Sequence, residues 1–273
     1  MSWMYRLWIG IADFFLLLLI LLCLSNTSLV VYLLGQARGQ LRIVLKAQPV
    51  ADVLNSTLLS EEQRGNLLLI QNVKEFSEKK LGFMPSSAYK KYFDQQGKTL
   101  LWIVTACEAF ELNDYKWKFP FLGAVSYKGF FDSLQAVSEC SSLKVKGYDV
   151  EISPVSAWST LGFFSDPVFS SMLQKQKGEL AELIFHELFH GTIYVSGQVD
   201  LNENLAEFIA EKATLVFFNS DKTNLSDYKM HKAKQNEISY FATSCLERLR
   251  QVYRSMEQRK LSKRDKMQIK DSL

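Results

Sequence analysis

Apolar side chains recur at helical spacing along much of this chain, and the places where that period breaks outline its elements. Leu180 to His190 is apolar at helical spacing and reads as a buried helix. A second helix is predicted over Asp200–Leu215, where Leu201, Leu205, Phe208, Ile209 and Leu215 share a helical stripe. The link through Ser196-Gly197-Gln198 is short, so these two helices should pack as neighbours. Upstream, Val50–Leu81 also reads as helical. Ser60-Glu-Glu-Gln63 resembles a helix start, Leu67, Ile70, Val73, Phe76 and Leu81 form one face, and Gly82 is the stop. Leu100–Thr105, Ala124–Tyr127 and Tyr148–Ile152 are short, β-rich and read as strands, with a helical stretch Phe131–Lys144 among them. Ala157–Leu161 is a further candidate, an edge strand able to receive a peptide backbone just before the buried helix. From Asn224 onward the pattern is helical and strongly charged, ending in the basic run Lys260–Lys266, which reads as a solvated face or frayed tail.

The N-terminal end has a different pattern. Leu7–Leu24 is eighteen residues with Asp13 as its single charge, close to the minimum for crossing a bilayer. Only Arg6 forms a basic head and no Ala-x-Ala site follows, so an uncleaved anchor is favoured over a signal peptide. The expected organisation is a membrane anchor over residues 1–34 and one domain over residues 35–273.

Candidate chemistry is concentrated in the first of the two paired helices, at His186-Glu187-Leu188-Phe189-His190. Residues four apart on a helix lie on one face about a turn apart, so both imidazoles can reach one metal ion. Glu187 is offset by about 100° of rotation, within reach of a water at that ion without being a ligand. The chain has only three histidines, His186, His190 and His231, so this spacing around a glutamate is improbable by accident. Imidazoles and a carboxylate set among Ile184, Phe185, Leu188 and Phe189 are costly to bury without partners, and a zinc ion would be one. A catalytic zinc takes three protein ligands, and no third histidine follows at short range. Glu203 on the second helix is the expected third ligand. Glu207, one turn later, is expected to orient a ligating imidazole through its second ring nitrogen. The competing reading has Asp200 capping the helix, Glu203 closing a capping box and Glu207 in solvent.

Those residues carry a family resemblance. The chain resembles the bacterial putative aminopeptidase family, gluzincin-like zinc metallopeptidases that join His-Glu-x-x-His to a nearby Asn-Glu-x-x-Ala. The likeness takes in Gly35–Leu41, Trp117–Phe131, Gly147–Val150, Ala157–Pro167 and the block Leu183–Ala206. It implies an α+β, zincin-like fold with a small mixed sheet, an active-site helix pair, a mostly helical remainder and an N-terminal transmembrane helix. It also implies zinc at His186, His190 and Glu203, with Glu187 as general base. The chain departs from the family pattern at Phe189 and Gly191, around the second histidine. The family's usual placement implies a single-pass membrane protein with an extracytoplasmic catalytic domain.

Composition narrows the remaining options. A length of 273 residues with 48% hydrophobic content suits one sizeable domain or two small ones. A net charge of +3, without a basic stripe carrying interleaved aromatics, gives no reason to invoke nucleic acid. The expected partners are a peptide or protein substrate and, through the anchor, a membrane. The expected activity is peptide-bond hydrolysis, with the aminopeptidase assignment resting on the resemblance. A tetrahedral oxyanion would need a donor, and Tyr127, in a family-like segment, is chosen over Tyr194, Tyr228 and His231. The rival reading is a non-catalytic, membrane-tethered peptide-binding or scaffold protein that keeps a zinc site. An intact Glu187 argues against it, because a structural site needs no base.

Overall fold

The computed structural model describes residues 27–119, 123–155 and 166–273. It is a mixed helix and sheet protein, with 60% of the described residues helical. In chain order the helices are α1 (Thr27–Lys46), α2 (Val50–Leu54), α3 (Glu61–Lys80), α4 (Ser133–Val145), α5 (Lys177–His190), α6 (Val199–Phe217), α7 (Lys222–Gln258) and α8 (Lys263–Asp271). The strands are β1 (Gln48–Pro49), β2 (Lys91–Phe93), β3 (Leu101–Glu108), β4 (Trp117–Phe119), β5 (Gly123–Val125), β6 (Tyr127–Phe130), β7 (Tyr148–Val155) and β8 (Val168–Phe169).

Among the described residues there is no single sheet. Strands β1, β2 and β8 form a short mixed sheet, antiparallel at β1–β2 and parallel at β2–β8. Strands β6, β3 and β7 form a separate antiparallel sheet in that order, and β4 pairs with β5 alone. The expected zincin-like fold is therefore corrected to a mixed architecture with three small sheets. The expected transmembrane helix is corrected as well. No helix among the described residues is long and apolar enough to cross a membrane, so the single-pass, extracytoplasmic placement is not supported. The apolar run Leu7–Leu24 and the edge strand at Ala157–Leu161 lie outside the described residues. Helix α1 also runs across the boundary expected at residue 34.

Two hydrophobic clusters hold these elements. The larger one packs Leu67, Ile70 and Val73 of α3 against Leu180, Ala181, Ile184, Phe185, Leu188 and Phe189 of α5. Ala206, Ala210 and Ala213 close it from α6, and Tyr92, Phe93, Val168 and Phe169 close it from the short mixed sheet. Helix α3 starts on a capping box in which the Ser60 hydroxyl accepts from Gln63 N–H and the Gln63 side chain accepts from Ser60 N–H. The smaller cluster lies between the β6–β3–β7 sheet and α4, around Val104, Ala106, Trp117, Phe130, Ala136 and Leu143. Helix α1 bridges them, since Tyr32 packs on the smaller cluster and Ile43 is buried in the larger. Gly39 permits the crossing: a Cβ there would lie 2.2 Å from the Phe131 ring.

Candidate metal centre

Helix α5 forms because its buried side chains fall as adjacent pairs one turn apart: Leu180 with Ala181, Ile184 with Phe185, and Leu188 with Phe189. Phe185 anchors the stripe in an edge-to-face group with Phe76, Phe83 and Phe217, at centroid distances of 6.3, 6.4 and 5.9 Å. Phe189, the departure from the family pattern, packs edge-on to Phe83 at 5.6 Å. With that stripe fixed in the core, His186 and His190 lie at its border, one turn apart on the side that faces α6.

Helix α6 returns antiparallel to α5 through a turn held by Asn202. The Asn202 amide accepts from Val195 N–H at 2.8 Å and donates to Val195 C=O at 2.9 Å, and the residue is buried. Ala206, fully buried one turn on, keeps the interface small. This gives the Asn-Glu-x-x-Ala pattern a physical meaning: Asn202 sets the turn, Ala206 allows close packing, and Glu203 is presented between them. The competing cap does not form, because the N-cap residue is Gln198 and no side chain caps the helix.

Glu203 meets both imidazoles. Its Oε2 is 3.3 Å from His186 Nε2 and its Oε1 is 3.5 Å from His190 Nε2, while the two Nε2 atoms are 3.0 Å apart. Ligands held tetrahedrally at about 2.0–2.1 Å from a zinc ion are separated by about 3.3 Å. The donor set and its spacing therefore fit a metal ion held by His186, His190 and Glu203. Burial holds the His190 pKa below its usual value. Glu203 pulls the other way and His186 adds to the lowering, so the neutral, ligating form is favoured. His190 is nearly enclosed, whereas the Glu203 side chain is 55% exposed, so the site opens on the Glu203 side.

The remaining candidates are placed differently. Glu207 stands one turn below Glu203, and its Oε1 is 3.7 Å from Lys232 Nζ of α7. His190 Nδ1 is buried without a hydrogen-bond partner among the described residues, so the structure does not bring Glu207 to it as an acceptor. Tyr127 opens β6, 56% exposed and paired with Thr105, on the sheet that packs against α4 and α1. Asp200 lies in the first turn of α6, and His231 Nε2 stands 2.9 Å from Glu179 Oε1 without forming a hydrogen bond.

One residue near the base gave no signal in the sequence. Tyr89 is buried and has φ +62°, a left-handed conformation rare for a bulky side chain. It is pinned by its N–H to Asp166 C=O at 2.7 Å and by Gln71 Nε2 donating to its carbonyl at 2.9 Å. Burial pushes the Tyr89 hydroxyl well above its usual pKa, and the charges of Glu187 and Asp166 push it the same way. Tyr89 thus lies within electrostatic reach of Glu187, and Asp166, from a family-like segment, reaches the same neighbourhood. Only the backbone conformation marks Tyr89, and no periodicity encodes that.

No curated protein and no solved structure matches the chain. The family model described as Putative aminopeptidase matches residues 31–273, taking in α5, α6 and all three residues of the candidate metal centre, and the chain belongs to that family.

Proposed function

We propose that this protein is a zinc-dependent metallopeptidase, acting as an aminopeptidase, with Glu187 as its general base. The observation that carries the reading is the set of separations among His186, His190 and Glu203, 3.0, 3.3 and 3.5 Å, which match the edges of a zinc coordination tetrahedron. Two imidazoles and one carboxylate leave a fourth position open, which is the pattern of a catalytic rather than a structural site. Family membership supports the peptidase class.

When bound, zinc supplies Lewis acidity towards water and a substrate carbonyl. His186, His190 and Glu203 would hold it. Glu187, on the turn between the two histidines, accepts the proton released as water attacks the scissile carbonyl. It then delivers that proton to the departing amine, so the base is restored. Tyr89, its backbone held by Asp166 and Gln71, carries a buried hydroxyl within electrostatic reach of that carboxylate. The exposed side of Glu203 leaves access for an extended peptide.

A peptide library with free and blocked N-termini, read by mass, tests the substrate class. An aminopeptidase releases single residues from free N-termini and spares the blocked peptides. Cleavage inside blocked peptides would keep the peptidase and refute the aminopeptidase assignment. Absence of any turnover by zinc-loaded protein would refute both.

A further inference from the structure

Antiparallel packing of α5 and α6 stacks their facing residues like rungs. The upper rung is His186 and His190 against Glu203. One turn below on each helix, Glu182 of α5 and Glu207 of α6 face the same gap, and two carboxylates there would repel. Lys232 of α7 enters from the third side. Its Nζ is 2.7 Å from Glu182 Oε1 and 3.7 Å from Glu207 Oε1, with its side chain only 15% exposed. We propose that Lys232 is a positioning residue for the metal centre, an ionic clamp that ties α5 to α6 one turn below the ligands and so fixes the separation of Glu203 from His186 and His190.

The register of α7 supports this role. Tyr228, one turn before Lys232, lies against Gly178, one turn before Glu182, where a Cβ would come within 2.7 Å of the tyrosine ring. Between them His231 Nε2 meets Glu179 Oε1 at 2.9 Å. Three successive contacts between α7 and α5 therefore deliver the Lys232 ammonium to one height on the helix pair. Burial works to lower the Lys232 pKa, but Glu182, with Glu207 and Glu211 behind it, outweighs this and holds it above its usual value. The clamp is thus a standing positive charge. It also accounts for Glu207, which pairs with this lysine instead of with an imidazole.

The inference rests on the zinc reading of the upper rung, and its test separates the two. Zinc affinity of the full chain is measured by competition with a chromogenic chelator, for wild type, Lys232→Met, Lys232→Arg and Glu207→Gln. Outer partners of a metal site typically change affinity by about 10–100-fold when removed. Lys232→Met should weaken zinc binding by at least about tenfold with the helical circular dichroism retained, and Lys232→Arg should recover most of that loss. Glu207→Gln should weaken binding several-fold in the wild-type background and have no further effect beside Lys232→Met, because the two residues act as a pair. If Lys232→Met does not fold, Glu207→Gln, which alters a mostly exposed carboxylate, decides the question alone. Wild-type zinc affinity in folded Lys232→Met, or in Glu207→Gln, overturns the clamp while leaving the metal centre intact. A wild-type chain that binds no zinc overturns the metal reading and the clamp with it.

Discussion

The two hydrophobic clusters of this molecule are built on different terms. The larger one is a helix pair fitted against α3 and a short mixed sheet, with Phe185, Leu180, Ile184 and Leu67 fully enclosed. The smaller one is a three-stranded sheet lying on α4, with a smaller set of buried side chains and many half-buried ones. All three candidate ligands and the base stand on helices that build the first, and Tyr127 stands on a strand that builds the second. The difference shows what a metal centre requires of its scaffold. Ligands must be held within a few tenths of an ångström, and helices whose inner faces are locked in a packed aromatic core can do that. An exposed edge of a small sheet can present backbone to a peptide, but it fixes side chains less tightly.

The sharpest way to break this comparison is at the base. Glu187→Gln keeps the ligand set and should cut peptide hydrolysis by about 10²–10⁴-fold while zinc content stays at the wild-type level. Core damage should then separate the clusters. Phe185→Ala should cost about 3–5 kcal/mol by chemical denaturation and weaken zinc binding, because it loosens the helix that carries both histidines. Leu143→Ala, in the smaller cluster, should cost about 2–5 kcal/mol but leave zinc affinity unchanged in the folded protein. Equal losses of zinc affinity from both would contradict the division.

Metal itself should act on the helical cluster. Zinc at a hundredfold excess over its dissociation constant should stabilise the fold by about 2.7 kcal/mol, and chelation should reverse this. His190→Gln should remove most of the gain.

The smallest effect concerns acid. His190 has a lowered pKa in the fold, so below its usual value near 6.5 the unfolded chain binds a proton that the folded chain resists. Stability of the metal-free protein should therefore fall as pH drops from 6.5 towards the folded pKa, and rise with pH across that window. His190→Gln should show a shallower fall over the same range in denaturant titrations.

The helix pair was legible in the sequence because its signals are local. A period of 3.6 residues marks α5 and α6, and their short link forces them together, so Glu203 could be matched to two histidines on another helix. The strands were legible where they are long: β3 and β7 run eight residues each and fall where β-rich stretches occur. Strands of two or three residues such as β1 and β8 carry too few positions to show a period, which is why one sheet is expected where the described residues form three small ones. Long-range partners left no trace. Lys232 looks like one more charge on a polar helix, and nothing local says that it meets Glu182, fifty residues away. For Glu207 the sequence offers only its spacing from Glu203, and spacing along one helix cannot reveal a cation arriving from α7. Tyr127 was chosen from a family-like segment, which says nothing of how that segment sits relative to the helices. The apolar N-terminal run meets the length criterion for a span but lies outside the described residues, among which no helix is long and apolar enough to cross a membrane.

The most direct test of the central claim measures zinc content and peptide turnover on the same preparations of wild type, Glu187→Gln and Glu203→Ala. Wild type should carry one zinc per chain and turn over peptide, Glu187→Gln should keep one zinc without turnover, and Glu203→Ala should lose both. Zinc retained in Glu203→Ala, or turnover unaffected by Glu187→Gln, would contradict that claim.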